Sequence, residues 1–450
     1  MDFKGLGTIL VLVLAIGCSG PIVYPAHNGT AIASENPSNI ILMIGDGMGF
    51  NYTDLARLVE YGTTRNLTMM QLPTQLSSET LNVDGEITDS AAAGTAIATG
   101  EKTKNRMISI APNGTILPTI LEMAQSIGKA TGVVSTSYIQ HATPASFMSH
   151  VDNRGDYAEI TRQIVESSDV DVLLGGGYSF FSDSQILSMQ QKGYSILRNR
   201  TSLLEVNAIP ILGLFADGHM DNEQARDLET IPSLAEMTNK SIQLLSRDQD
   251  GFFLMVEGSQ IDFAGHDNDK VDGALETIAF DAAVKVALDF VTTQDNTLLI
   301  VTADHETGGL SVHGNTLSEE LPSDVSGAGE KRNLRIERAN NVTVSWSSDY
   351  HTASPVPIFG LGPEFSIFQN DTTIDNTKLF SEMRLFFGTE SYEYCSETTE
   401  TSETEETTDA DTGTTTPPPV QFPTTTLWAL AILIPIPIII IIFLLRRRYS

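Results

Sequence analysis

Residues 297–306 read TLLIVTADHE. A run of apolar and β-branched residues stops abruptly at an acid and a histidine. An unbroken apolar run of this length is the pattern of a strand buried on both faces, and such strands belong to parallel sheets covered by helices. Five further segments fit the same description: NIILMIG (39–45), ATGVVST (130–136), VDVLLGG (170–176), GFFLMVEG (251–258) and VPIFGLG (356–362). Amphipathic stretches lie between them, notably DGALETIAFDAAVKVALDF (272–290). The alternation predicts an α/β fold with a central, mainly parallel sheet sandwiched between helices.

Sheets of that kind bind ligands beyond the carboxyl ends of their strands, and acids and histidines gather there. The strand at 39–45 runs into Asp46, that at 251–258 carries Glu257, and that at 297–305 ends in Asp304 and His305. His141 and Thr143 follow the strand at 130–136, and His351 precedes the one at 356. The next rich stretch, EGSQIDFAGHDND (257–269), adds Asp262 and His266. Four residues apart, these two can share one helical face and hold one ion. Taken alone, that stretch also describes a solvated acidic loop, and His351 alone describes a structural histidine. Beside Asp304 and His305 the solvated reading loses ground. His27, His150, His219 and His313 read as structural or surface residues.

Residues 88–100, TDSAAAGTAIATG, place Asp89 and Ser90 before a run of the smallest residues. The plain reading is a capped helix start. The sharper one is a nucleophile, because a helix N-terminus stabilises an oxyanion or phosphate. With the acids and histidines in view, the set suits a two-metal hydrolase. Two zinc ions ~4 Å apart would clamp an in-line displacement at phosphorus, and coordination would ionise the Ser90 hydroxyl. The small residues would leave room for phosphate and metals. Arg154, in HVDNRGDY (150–157), would bind phosphate oxygens with its fork; in isolation it reads as a surface arginine.

The 450 residues carry a net charge of −31, which argues against non-specific nucleic-acid binding. The only two cysteines, Cys18 and Cys395, flank the body, so neither a disulfide framework nor a cysteine-ligated zinc site is expected within it. The first 25 residues have Lys4 ahead of a short apolar run, Ile9 to Ile16, and read as a secretory signal. Cys18 loosely matches a lipoprotein cleavage site. Residues 389–426 are rich in Glu, Thr and Pro and read as a disordered, extended stalk. Leu427 to Leu445 contains no charge and is long enough to span a bilayer; Arg446 to Arg448 follow, which leaves residues 446–450 as a cytoplasmic tail and the body outside the cell. Eight N-x-[ST] sequons are consistent with export.

The motifs IGDGMG, TDSAAAGTAIATG, ATPASF, PSLAEMTNKSIQLL, FFLMVEGSQIDFAGHDND and VTADHETGGL occur in the order of the alkaline phosphatase family, which the chain closely resembles over residues 37–388. The resemblance implies that Ser90 becomes a phosphoserine and that Arg154 binds phosphate. It implies one Zn²⁺ held by Asp262, His266 and His351. A second would be held by Asp46, Asp304 and His305 beside Ser90. It further implies a Mg²⁺ site of Asp46, Thr143 and Glu257, and a homodimer acting on small phosphate monoesters. Two positions depart from the pattern. His141 stands where some members have Asp, which leaves the third metal's identity open. Phe263 stands where others carry Lys, His or Trp, and offers phosphate neither charge nor hydrogen bond. A diesterase or sulfatase of related fold, and a surface protein that kept the fold without the activity, are the competing readings. The C/S-x-P-x-R setting of a sulfatase nucleophile is missing around Ser90, and none of the expected ligands is lost.

Overall fold

A computed structural model describes residues 38–314, 317–362 and 372–389. The chain divides into two compact units, residues 1–396 and 397–450, and every described residue lies in the first. The expected signal peptide, most of the stalk, the membrane segment, the tail and both cysteines fall outside the described residues. Among the described residues, no helix is long and apolar enough to cross a membrane.

Among the described residues fourteen strands form: β1 (Asn39–Gly45), β2 (Thr74–Glu79), β3 (Ala130–Tyr138), β4 (Val172–Gly176), β5 (Ser195–Leu197), β6 (Ile211–Leu214), β7 (Phe252–Gly258), β8 (Thr297–Thr302), β9 (Glu306–Thr307), β10 (Ser311–Gly314), β11 (Thr343–Ser345), β12 (His351–Thr352), β13 (Val356–Leu361) and β14 (Thr373–Asp375). Ten make one sheet in the order β14-β2-β13-β8-β1-β7-β3-β4-β6-β5. Only β13 runs against its neighbours, β8 and β2; the other pairings in this sheet are parallel. The six strands expected from apolar runs are all present. β2, β5, β6 and β14 extend the sheet at its two sides.

Strand periodicity sorts the core into two layers. Ile41 and Met43 of β1 join Val256, Val301 and Ala283 on one face. Ile40, Leu42 and Ile44 join Ala91, Phe147 and Phe253 on the other. Fully burying aliphatic side chains of this size stabilises the fold by about 1.5–3 kcal/mol each. The long amphipathic segment forms the helix Lys270–Val291, whose start is capped by Asp269 accepting from the N–H groups of Val271 and Asp272. The segment between His305 and His351 contains the helix Ala328–Asn340, which Arg335 ties to Glu60 on the helix Phe50–Tyr61 with bonds of 2.6 and 2.8 Å.

The small residues after Ser90 let their helix pack closely against its neighbour. All ten residues of the helix Ser90–Thr99 are buried, and it packs closely on the helix Ala142–Met148. A Cβ at Gly94 would sit 2.9 Å from Ser146 Oγ. The lack of side chains therefore lets two helices approach.

Candidate active site

The sheet order brings distant sequence segments to one edge. β1, β7 and β8 are adjacent and parallel, with Ile44 opposite both Glu257 and Thr302. Asp46, Glu257 and Asp304 consequently emerge side by side. Gly47 permits this. Its φ is +74°, and a Cβ there would meet the Asp262 Cα at 2.8 Å, so only glycine lets the loop after β1 pass so near. The antiparallel pairing of β12 with β9 sets His351 opposite Thr307, two residues past His305.

Three groups of donor atoms result, each with its atoms within 4.8 Å of one another: Asp46, Asp304 and His305; Asp262, His305 and His351; and Asp46, His141 and Glu257. All seven residues are buried. The first and third groups share Asp46, and the first and second share His305. His266 lies outside the tightest set, but its Nε2 is 3.4 Å from Asp262 Oδ2. His141, which the sequence places behind the third site, stands in the same group as Asp46 and Glu257. Thr143 is buried.

Each imidazole is oriented by its second nitrogen. His351 Nδ1 donates to the Thr88 carbonyl and His266 Nδ1 to the Asp349 carbonyl, both at 2.8 Å, which leaves Nε2 free to bind a cation. Asp304 accepts from the N–H of Gly47 and of His305 through Oδ1 only. Glu257 accepts from Ser135 through Oε2 at 2.6 Å. The atoms left over are informative. Both Asp46 oxygens, Asp304 Oδ2, Glu257 Oε1, Thr143 Oγ1 and His141 Nδ1 are buried without a hydrogen-bond partner. Buried carboxylates without partners are costly unless cations compensate them. These oxygen and nitrogen donors fit zinc and magnesium.

Protonation tells the same story. Burial, then the charge of Asp304, holds the Asp46 carboxyl well above the usual range. Burial and Asp262 push Asp304 up to about 8, and burial raises Glu257. Burial acts upward on Asp262 too, but the hydrogen bond from His266 and the nearby His305 and His351 bring it below the usual range. The bond to Asp262 raises His266 to about 9. Asp46, Asp304 and Glu257 are thus harder to ionise than free carboxyls unless a cation compensates them, whereas Asp262 is not.

Ser90 is the first residue of its helix, and its Oγ is 3.2 Å from His305 Nε2. Asp89 caps that helix by accepting from the Ala92 N–H at 3.0 Å. The same carboxylate accepts from the Arg106 N–H and from Arg154 Nη1, at 3.0 and 3.1 Å. Arg154 Nη2 lies 3.2 Å from His141 Nε2. The helix-start and nucleophile readings are thus compatible, since the cap and the hydroxyl are neighbouring residues. Asp89 as the anchor of Arg154 escaped the sequence, as did Thr307, whose hydroxyl donates to Asp262 at 2.5 Å and lies 3.2 Å from His305 Nδ1. The one available signal for Thr307 was its place two residues after His305.

A parallel sheet whose carboxyl edge gathers buried acids and histidines beside a helix-start serine defines a metal-binding hydrolase. The alkaline phosphatase family model matches residues 37–324. Alkaline phosphatase 3 of Bacillus subtilis is 36% identical over 407 residues, covering 76% of this chain and 87% of the relative. The cold-active alkaline phosphatase of a psychrophilic Shewanella superposes with a TM-score of 0.68 at 30% identity, covering 77% of this chain and 99% of that one. A histidine-to-aspartate variant of TAB5 alkaline phosphatase, with Mg bound in its M3 site, gives 0.64 at 30% identity, covering 78% and 98%. The chain belongs to the alkaline phosphatase family and hydrolyses phosphate monoesters.

Proposed function

We propose that hydrolysis proceeds through a phosphoserine on Ser90. The observation that carries this is the 3.2 Å approach of Ser90 Oγ to His305 Nε2, the residue common to two donor groups. Arg154, held by Asp89, grips two phosphate oxygens and turns phosphorus toward Ser90. The Oγ–P bond forms as the P–O bond to the alcohol breaks, and the alcohol departs with a proton. The free N–H groups of the helix start receive the phosphoryl charge. Water then cleaves the phosphoserine, freeing phosphate and restoring the hydroxyl.

Asp262, His266 and His351 would hold one zinc, Asp46, Asp304 and His305 a second, and Asp46, Thr143, Glu257 and His141 the magnesium. When bound, these ions would lower the pKa of the serine hydroxyl and neutralise charge on the phosphoryl and leaving oxygens. The carboxylate and hydroxyl oxygens of Asp46, Glu257 and Thr143 support magnesium for the third group, while the His141 nitrogen makes zinc a competitor there. The apolar N-terminus, acidic stalk, Leu427 to Leu445 and the triple arginine support a single-pass anchored enzyme that releases phosphate outside the cell. The family likeness supports a homodimer. The test is metal content of the purified protein alongside phosphate-monoester hydrolysis with and without chelator. Activity that survives complete metal removal overturns the proposal.

A further inference from the structure

An aromatic wall begins where the phosphate anchor ends. The His141 ring, whose Nε2 lies beside Arg154, meets the Phe263 ring edge-on at 5.8 Å. Phe263 contacts His219 at 4.6 Å, and His219 lies over Tyr138 at 4.3 Å. Tyr138 continues the wall to Phe180 at 4.7 Å and to Tyr157 at 5.4 Å. These rings come from five separate segments, yet they do not form a closed core. Phe263, Phe180 and Tyr157 are half-buried and His219 is exposed. A chain rich in acid thus keeps, one side chain from Arg154, a partly open surface of neutral rings.

Resting on the phosphatase reading, we infer that this wall is the leaving-group subsite and that Phe263 and His219 stack the base of a nucleoside monophosphate. A flat heteroaromatic base gains from stacking on such rings whatever its hydrogen-bonding pattern. The sugar spans the gap between the base and the phosphate held at Arg154. This also gives Phe263 a purpose, since it offers phosphate nothing directly.

Adenosine 5′-monophosphate and ribose 5-phosphate isolate the effect, because both are cleaved at a primary ribose C5 oxygen and differ at C1, where the nucleotide has a base and the sugar phosphate a hydroxyl. The metal-loaded wild-type enzyme should show a kcat/KM about tenfold higher for the nucleotide. His219→Ala and Phe263→Leu should each reduce that preference to about threefold or less, mainly through the KM of the nucleotide. Equal kcat/KM for the two esters in the wild type leaves the phosphatase intact and overturns the subsite. So does an equal loss on both esters in the variants, which would mark the rings as structural. Hydrolysis of neither ester overturns the phosphatase reading and this inference with it. The wild-type ratio decides the question even if a variant fails to fold.

Discussion

The imidazole of His305 stands at the junction of the site: its Nε2 is 3.2 Å from Ser90 Oγ and 3.4 Å from both Asp46 Oδ1 and Asp304 Oδ2. Ser90→Ala removes the attacking oxygen while leaving Asp89 to cap the helix. Turnover of a phosphate monoester should fall by on the order of 10⁴-fold or more, with thermal stability nearly unchanged. Acid quenching during wild-type turnover should yield phosphoserine at this residue, and the variant should yield none. A variant that keeps turnover within tenfold would remove Ser90 from the mechanism.

Asp89 has two tasks that one pair of substitutions can separate. Arg154→Ala removes the phosphate fork but not the cap, so phosphate inhibition should weaken and KM rise, with little change in stability. Asp89→Ala loses the cap as well, at a cost of about 1 kcal/mol, and frees Arg154 to wander. Its melting temperature should fall, which that of Arg154→Ala should not. Denaturation curves and phosphate inhibition constants read the two effects independently.

Metal-free protein should lose stability as pH rises. Asp46, Asp304 and Glu257 are raised in the folded state, so between the ordinary carboxylate range and pH about 8 the folded chain binds more protons than the unfolded one. Stability then falls with rising pH. His266, raised to about 9, adds stability that is complete below its ordinary value near 6.5 and lost as pH passes 9. The two effects run in the same direction. Below about pH 6.5 the lowered histidines His141, His305 and His351 act in the opposite direction, so chelated protein should melt at progressively lower temperature from about pH 7 to pH 9. Added zinc and magnesium should flatten the slope and release protons on binding. A melting temperature independent of pH in chelator contradicts this charge arrangement.

Phe263→Lys would place a cation next to Asp262 in the chain and against His141, whose other neighbour is Arg154. Inorganic phosphate should inhibit this variant more strongly than the wild type, by about tenfold. If phosphate release limits turnover, kcat should fall in parallel. An unchanged inhibition constant would show that position 263 has no influence on phosphate retention.

The parts legible in the sequence were those fixed by local chemistry. β1, β3, β4, β7, β8 and β13 lie in near-continuous apolar runs because both faces of the sheet are covered. β2, with the sequence TQLSSE, has only one buried residue and borrows its strand character from β13 and β14, which no local pattern records. The donor residues announced themselves at strand ends, but their grouping did not. That His141 would join Asp46 and Glu257 depends on β3 lying next to β7. The helix-packing task of Gly94 depends on Ser146, more than fifty positions away.

Thr307 offers a test of how far the donor groups act as a unit. Its hydroxyl donates to Asp262 and lies against His305 Nδ1, so one side chain steadies ligands of two different groups. Thr307→Val keeps the shape and removes the hydroxyl. Asp262 then loses its donor, and the His305 ring loses the neighbour that restrains its tilt. Removal of such an outer partner typically weakens metal affinity by about 10–100-fold. In zinc-loaded protein, competition with a chromogenic chelator should show the metal affinity of both donor groups weakened together, and Thr307→Ser should restore it. Weakening of a single position would instead mean that the hydroxyl serves Asp262 alone and that the two groups are positioned independently.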